Sequence, residues 1–334
     1  MKSAGFIGVG SYLPPKIVTN DDIIKMGLET SDEWITERTG IKERRICAPD
    51  MSSSDMAFEA AQRAIAHAGV EPRDIDLLIV ATTSSDYPSF PSTACLLQRR
   101  LNLRKIGAFD LSAACTGFNY ALTCASQFVQ TGQAKYVLVV GVDCLSKFVD
   151  WTDRSVCILF GDGAGAAVVG PVKEGYGILA SDLYSDGSES DILMVKGGGS
   201  RTPFSQSVIE KKEHTIHMNG KAVFKVAVQT IVPAILHTLN KVDLTPSDIH
   251  YLIPHQANMR IIEYAREKLG LQPEQVCTNI QRYGNTSAAS IPITLDEAVR
   301  DGRIQEESLV VLAGFGAGFT WGVNVLKWGG KGGL

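Results

Sequence analysis

The chain has no surplus of positive charge: 32 Lys+Arg stand against 36 Asp+Glu, a net charge of −4. A protein held to nucleic acid through phosphate contacts needs a basic excess along one face, so that class is excluded. Long apolar runs are also missing. The nearly uncharged apolar stretches, such as Tyr136 to Val142, fall far short of the roughly 20 residues a membrane span requires, and no transmembrane helix is expected. There is no Cys-x-x-Cys pair. The seven cysteines are odd in number and scattered, which argues against a disulfide framework and a zinc site and makes a reducing cytoplasm the expected location. The N-terminal apolar stretch is interrupted by Gly5, Gly8 and Gly10, ends at Pro14-Pro15 and lacks a small-residue cleavage site, so it reads as a first strand and not as a signal. No Gly-Lys-Ser/Thr phosphate loop occurs. Gly8-Val9-Gly10 resembles the start of a dinucleotide fingerprint, but Leu13 takes the third glycine position and Pro14 blocks the helix, so no nicotinamide cofactor is expected. His214 and His217 have a metal-like spacing without a third ligand type, and no metal is expected.

What is present is a globular composition, 45% hydrophobic and 20% charged, in 334 residues, enough for two units at about 150 residues each. The chain repeats itself. Pro72-Arg73-Asp74-Ile75-Asp76-Leu77-Leu78-Ile79 aligns with Pro246-Ser247-Asp248-Ile249-His250-Tyr251-Leu252-Ile253 at a shift of 174, and Val137–Gly141 aligns with Val310–Gly314 at a shift of 173. Two landmarks at nearly one shift predict a duplicated unit, with halves at 1–174 and 175–334. Within each half, short β-branched runs alternate with amphipathic stretches: strands at Leu77–Ala81, Ile106–Leu111 and Tyr136–Val142 flank helices near Ser92–Leu101 and Gly117–Thr131. The second half repeats this with Leu252–Pro254, Met259–Leu269, Val276–Ile280, Ile291–Arg300 and Leu309–Ala313. The expected class is α/β: mainly parallel sheets with helices on both faces, a helical layer shared between the halves, and a site beyond the carboxyl ends of the strands where the halves meet. Ser185–Asn219, rich in Ser, Gly and charge, reads as an inserted loop region.

Position separates the cysteines. Cys115 directly follows the strand Ile106–Leu111 and the small residues Ser112-Ala113-Ala114, and directly precedes the helix beginning near Gly117. A thiol there meets the positive end of a helix dipole, which favours the thiolate, and small neighbours leave room for a substrate. A cysteine nucleophile needs a polarising partner brought near by the fold. His255 is the best placed of six histidines, since it follows the repeat strand and precedes a helix opened by Gln256-Ala257-Asn258. Asn285, in Gly284-Asn285-Thr286-Ser287, occupies a similar strand-to-helix turn, where a helix cap is the plainer reading. Gly314-Phe315-Gly316-Ala317-Gly318 follows the last repeat strand, and its amides suit an oxyanion hole as well as an ordinary glycine turn.

Together these segments resemble the β-ketoacyl-acyl-carrier-protein synthase III branch of the thiolase-like condensing enzymes. The resemblance runs almost end to end, through Ser31-Asp32-Glu33-Trp34-Ile35, Arg38-Thr39-Gly40-Ile41, Ala113-Ala114-Cys115-Thr116-Gly117-Phe118, Phe160-Gly161-Asp162-Gly163-Ala164-Gly165-Ala166, His255-Gln256-Ala257-Asn258, Tyr283-Gly284-Asn285-Thr286-Ser287 and Gly318-Phe319-Thr320-Trp321-Gly322. It implies two pseudo-repeated halves in a five-layered αβαβα core, usually in a homodimer. It implies that Cys115 takes an acyl group from an acyl-coenzyme A, acetyl being the expected primer, and that His255 and Asn285 hold the thioester carbonyl of malonyl-acyl carrier protein during a decarboxylating Claisen condensation that starts fatty-acid synthesis. The oxyanion hole would be the amides of Cys115 and Ala317. Coenzyme A would meet Trp34, stacked on adenine against Arg154, with Arg38 at the phosphates and Thr30, Gly220, Phe224, Ala257 and Asn258 along the pantetheine. Phe90 and Phe315 would border the acyl pocket, Phe90 that of the neighbouring subunit, and Lys225 and Arg260 would receive the carrier protein. No cofactor is implied. Ala317 in place of a frequent glycine, Lys221 in place of a frequent asparagine, and the long Ser185–Asn219 segment leave the primer open. Two alternatives also stay open: an acyltransferase or condensing enzyme of specialised metabolism, and a non-catalytic coenzyme A or carrier-protein binding module.

Overall fold

The computed structural model describes residues 2–330. Strands β1 (Ser3–Tyr12), β2 (Lys16–Thr19), β3 (Glu43–Ile46), β4 (Leu77–Ala81), β5 (Gly107–Leu111), β6 (Val137–Cys144) and β7 (Asp162–Val172) precede residue 173. They are followed by β8 (Gly177–Ser185), β9 (Leu193–Val195), β10 (Ile216–Met218), β11 (Tyr251–Pro254), β12 (Leu309–Gly316) and β13 (Thr320–Lys327). One sheet has the order β1-β7-β6-β4-β5, the other β8-β13-β12-β11. The repeat is visible in this order: the paired turns Pro72–Asp74 and Pro246–Asp248 lead into β4 and β11, whose parallel neighbours β6 and β12 carry the second landmark. Where β5 extends the first sheet, the second has only a parallel bridge from Leu252 to Val276, so the run expected at Val276–Ile280 is shorter than a strand.

The sheets are mixed and not mainly parallel. β7 runs antiparallel to β1 and β6, and β13 antiparallel to β12 and β8. The reason is local for β12 and β13, which are joined by only Ala317, Gly318 and Phe319, a connection that can only reverse the chain.

Alternation along the strands builds five layers. On β4, Leu78 and Val80 face one way and pack with Ala57, Ala60, Ala61 and Ala64 of the helix Ser53–Ala68. Leu77, Ile79 and Ala81 face the other way, into a middle layer made by helices Gly117–Gln130 and Ser290–Arg300. On β12, Val310 and Leu312 meet that same middle layer, while Val311 and Ala313 face the outer helices Gly220–Asn240 and Met259–Leu269. The glycines that suggested a dinucleotide loop have a packing purpose: a Cβ on Gly8 or Gly10 would lie 2.4 or 2.5 Å from the backbone at Ala64, so their absence of side chain lets Ser53–Ala68 rest on β1.

The helix Gly220–Asn240 corrects the reading that no segment reaches membrane-spanning length, because its 21 residues are long and apolar enough to qualify. Ala227, Ile231, Ile235 and Leu239 recur at every fourth position and are buried in the outer core, so this is a core helix covering the second sheet. The segment 185–219 is not only loop: β9 and β10 pair as an antiparallel ribbon, with a short helix at Gln206–Glu210 between them.

Candidate active site

Cys115 lies in a 3-10 turn, Ala114–Thr116, that runs directly into the helix Gly117–Gln130. The turn is tight enough to hold Ala114 at φ 46°, in the left-handed region. Gly316, at the end of β12, faces it so closely that an added Cβ would be 2.7 Å from the Cys115 amide nitrogen. Cys115 is 7% exposed. Burial pushes its thiol up to about 12, with a Ser287 hydrogen bond opposing this and the nearby Asp143 charge adding to it. Burial of Cys115 thus works against the thiolate that the helix terminus favours.

His255 follows β11, and its amide donates to the Ala313 carbonyl at 2.8 Å, which fixes the backbone at the carboxyl ends of two parallel strands. Its side chain is buried, Nδ1 lies 2.7 Å from Ser290 Oγ, and the Phe315 ring meets the imidazole edge-on at 5.4 Å. Burial holds the imidazole well below its usual range, at about 3, so it is neutral at physiological pH. Asn285 is held through its backbone, donating to Leu159 O at 2.8 Å and accepting from Gly161 N at 3.0 Å. Its Oδ1 accepts from Ser287 N at 2.8 Å, which commits the acceptor end of the amide and leaves Nδ2 as a donor.

These three side chains line one cavity of about 910 Å³, together with Trp34, Arg38, Gly220, Phe224, Ala257, Asn258 and Arg260. Cys115 also lines a second, smaller and more apolar cavity of about 270 Å³, with Leu145, Phe148, Met194, Ile216 and Ala317 among its walls. A thiol shared by a larger channel and a smaller apolar recess can accept a group delivered through the first and shelter it in the second.

Most residues anticipated from sequence converge on these cavities, and several do not. Thr30 is absent from both linings, and its Oγ1 is buried without a hydrogen-bond partner. Phe315 borders the larger channel beside His255 and not the apolar recess. Phe90 is 86% exposed and lines neither cavity of its own chain. Lys225 is exposed on the helix Gly220–Asn240 and does not line the channel, and Arg260 is exposed at its edge. Arg38 and Arg154 each place a guanidinium carbon 4.7 Å from the centre of the Trp34 ring, and Arg154 also donates to the Glu29 carbonyl. The indole expected to stack on an adenine thus already carries Arg154, which a base would have to displace.

Two supporting residues were not apparent from sequence. Asp143, fully buried at the end of β6, accepts from the amides of Thr83, Ser84 and Ala288 and from the hydroxyls of Thr82, Thr83 and Ser84. It ties the turn after β4 to the turn carrying Asn285, and burial raises its pKa against those hydrogen bonds. Ser290 contacts His255. The signal for Asp143 was its place at a strand's carboxyl end, level with Cys115; nothing in the sequence marks Ser290 apart from its proximity to Asn285.

Two family models match: 3-oxoacyl-[acyl-carrier-protein (ACP)] synthase III over residues 109–187 and its C-terminal region over residues 239–328. A beta-ketoacyl-[acyl-carrier-protein] synthase III of Caldanaerobacter subterraneus subsp. tengcongensis is 53% identical over 326 residues, 98% of either chain. Among solved structures, the synthase III of Thermus thermophilus superposes with a TM-score of 0.91 at 47% identity, covering 98% of this chain and 100% of that one. The Aquifex aeolicus VF5 enzyme does so at 0.90 and 44% identity, covering 97% and 100%. The two stacked sheets and three helical layers are accordingly the thiolase-like fold. The chain belongs to the 3-oxoacyl-[acyl-carrier-protein] synthase III family, the condensing acyltransferases that initiate fatty-acid synthesis.

Proposed function

We propose that Cys115 attacks the thioester carbonyl of an acyl-coenzyme A, acetyl-coenzyme A being the expected donor, and that the tetrahedral intermediate expels coenzyme A, whose sulfur takes up the proton of the Cys115 thiol, to leave an acyl thioester on Sγ. The amides of Cys115 and Ala317 receive the oxyanion. Malonyl-acyl carrier protein then enters the same channel, and His255 and the Nδ2 of Asn285 donate to its thioester carbonyl. Loss of carbon dioxide places the electron pair of the broken C–C bond in an enolate held by those two donors. The enolate carbon attacks the acyl-Cys115 carbonyl, the C–S bond breaks with its electron pair going to sulfur, 3-oxoacyl-acyl carrier protein leaves, and the Cys115 thiolate takes a proton from solvent. Fixed donors aimed at a developing oxyanion in a water-poor pocket supply most of the rate enhancement in catalysis of this kind. A neutral imidazole suits it, because a donor that never ionises needs no counter-charge when the enolate forms.

The observation that carries this reading is the convergence of Cys115, His255 and Asn285, from three separate turns, on one channel at its junction with an apolar recess. Trp34 and Arg38 line the channel and, with Arg154 beside the indole, supply a ring and two cations for an adenine nucleotide, and Gly220, Phe224, Ala257 and Asn258 accompany the pantetheine arm. Lys225 and Arg260 offer exposed positive charge to an acidic carrier protein. A homodimer is supported by the edge strand β5, with no residue of its run buried and Phe109 38% exposed, and by the exposed aromatic side chains of Tyr87 and Phe90. Phe90 would then close the recess of the neighbouring subunit. We assign 1–174 as the half that carries the nucleophile and 175–334 as the half that carries its two partners, working in the cytoplasm.

Incubation with acetyl-, isobutyryl- and longer acyl-coenzyme A followed by intact-mass measurement and peptide mapping tests the first step. An adduct on Cys115 is expected, with the yields ranking the primers. No adduct on Cys115 with any donor would refute the reading.

A further inference from the structure

For His255 to hold an enolate oxygen it must donate, and a neutral imidazole donates from one nitrogen only. Burial keeps the ring neutral, so everything depends on which nitrogen carries the proton. Nδ1 is 2.7 Å from the hydroxyl of Ser290, the first residue of the helix Ser290–Arg300, itself 1% exposed. The amide of Gln256 points at the same hydroxyl oxygen from 3.4 Å. These are the hydrogen bonds of the Ser290 hydroxyl among the described residues. With an N–H directed at its oxygen, the hydroxyl keeps its own proton for the remaining partner, the imidazole.

We infer that Ser290 donates its hydroxyl proton to Nδ1 of His255 and thereby fixes the Nε2–H tautomer, making Ser290 a positioning residue for the decarboxylation step. The inference rests on the reading of His255 as an oxyanion donor. It gives a physical reason for the compactness of the turn from Asn285 to Ser290. At one end, Ser287 N takes the acceptor oxygen of Asn285 and turns Nδ2 outward. At the other end, Ser290 takes the acceptor nitrogen of His255 and turns the N–H outward. One stretch of chain therefore commits the acceptor atoms of both groups and leaves two donors for one oxygen. The helix that begins at Ser290 sits in the middle layer, with Ile291, Leu295 and Ala298 in the shared core, so the hydroxyl is carried on a rigid element.

The test labels histidine with ¹⁵N and reads the protonation of both His255 nitrogens in the full-length protein at neutral pH. The expected spectrum shows the proton on Nε2; a proton on Nδ1 overturns the inference, and this outcome needs no variant. In Ser290→Ala the expected result is a mixture of tautomers and a fall of about tenfold or more in carbon dioxide release from malonyl-acyl carrier protein, the scale on which groups that orient an imidazole act. Acylation of Cys115 by acyl-coenzyme A should stay within about twofold, and Ser290→Thr should restore the tautomer and most of the rate. An unchanged tautomer in Ser290→Ala, or a changed one with an unchanged rate, overturns the inference. Failure of the underlying reading has a separate signature: His255→Ala would release carbon dioxide as fast as the parent.

Discussion

Gly316→Ala is a one-methyl change that should reach the nucleophile without replacing any side chain proposed to react. The added Cβ would stand 2.7 Å from the Cys115 amide nitrogen, 3.0 Å from its Cβ and 3.2 Å from its Cα, where ordinary contact begins at 3.4 Å. The neighbour that must yield is backbone, at a turn already constrained by Ala114 at a positive φ. The shortfall of about 0.7 Å at the amide must be relieved by moving Cys115, β12 or both. Overpacking of this sort costs about 1–3 kcal/mol of stability. It also shifts the attacking sulfur and the amide proposed for the oxyanion hole together, and displacements approaching 1 Å at a reacting centre cost about a hundredfold in rate. The predicted outcome is a folded protein whose Cys115 is acylated by acyl-coenzyme A about a hundredfold more slowly, followed by quenched-flow intact mass. Acylation within about twofold of the parent would refute the reasoning that Gly316 exists to let β12 approach the nucleophile.

Other outcomes follow from the same geometry. Because burial raises the Cys115 thiol to about 12, its thiolate fraction should still be climbing at pH 9; alkylation by iodoacetamide should rise about tenfold per pH unit from neutrality, and a plateau near pH 7 would contradict the burial argument. Asp143→Ala would strip the acceptor from six donors, four of them buried, and should destabilise the fold by about 3–5 kcal/mol in denaturant titrations, with a change below about 1 kcal/mol arguing that the turns hold without it. Ile216→Trp fills the recess of about 270 Å³ from β10 and should shift the primer preference toward acetyl over isobutyryl in competition; an unchanged ratio would place the acyl chain elsewhere. Trp34→Ala should raise KM for acyl-coenzyme A about tenfold with little change in kcat, read from initial rates, whereas a fall in kcat alone would separate Trp34 from binding.

Much of this site is legible in the sequence because two of its members stand at the same kind of place. Cys115 and His255 each follow a strand and precede a helix, in equivalent halves of the repeat, whereas Asn285, expected in the same kind of turn, follows the short helix Ile280–Tyr283 and is held by a bridge to Phe160. Strand direction was not legible: alternation along β7 or β13 looks the same whether the neighbour runs parallel or antiparallel. The helix Gly220–Asn240 does not stand out as an apolar run because Lys221, Lys225 and Pro233 interrupt it, although the apolar residues between them carry the length. Contacts between distant segments were hidden for a different reason. That Asp143 reaches Ala288, or that Arg154 already lies on Trp34, depends on side-chain reach between segments that only the fold brings together, which no local pattern encodes. The raised thiol of Cys115 is of the same kind, since burial is a property of the assembled pocket and the dipole argument sees only the helix.

In the proposed mechanism, loss of carbon dioxide and discharge of the acyl group are coupled at Cys115, His255 and Asn285. A single-turnover measurement on enzyme already acylated at Cys115 tests that coupling, counting carbon dioxide released from malonyl-acyl carrier protein against acyl-Cys115 consumed, in the parent and in Asn285→Ala. Equal amounts are predicted in the parent, and in Asn285→Ala an acyl-enzyme that forms normally but discharges about a hundredfold more slowly or worse. Discharge without carbon dioxide, or an Asn285→Ala protein that condenses at the parent rate, would contradict the mechanism.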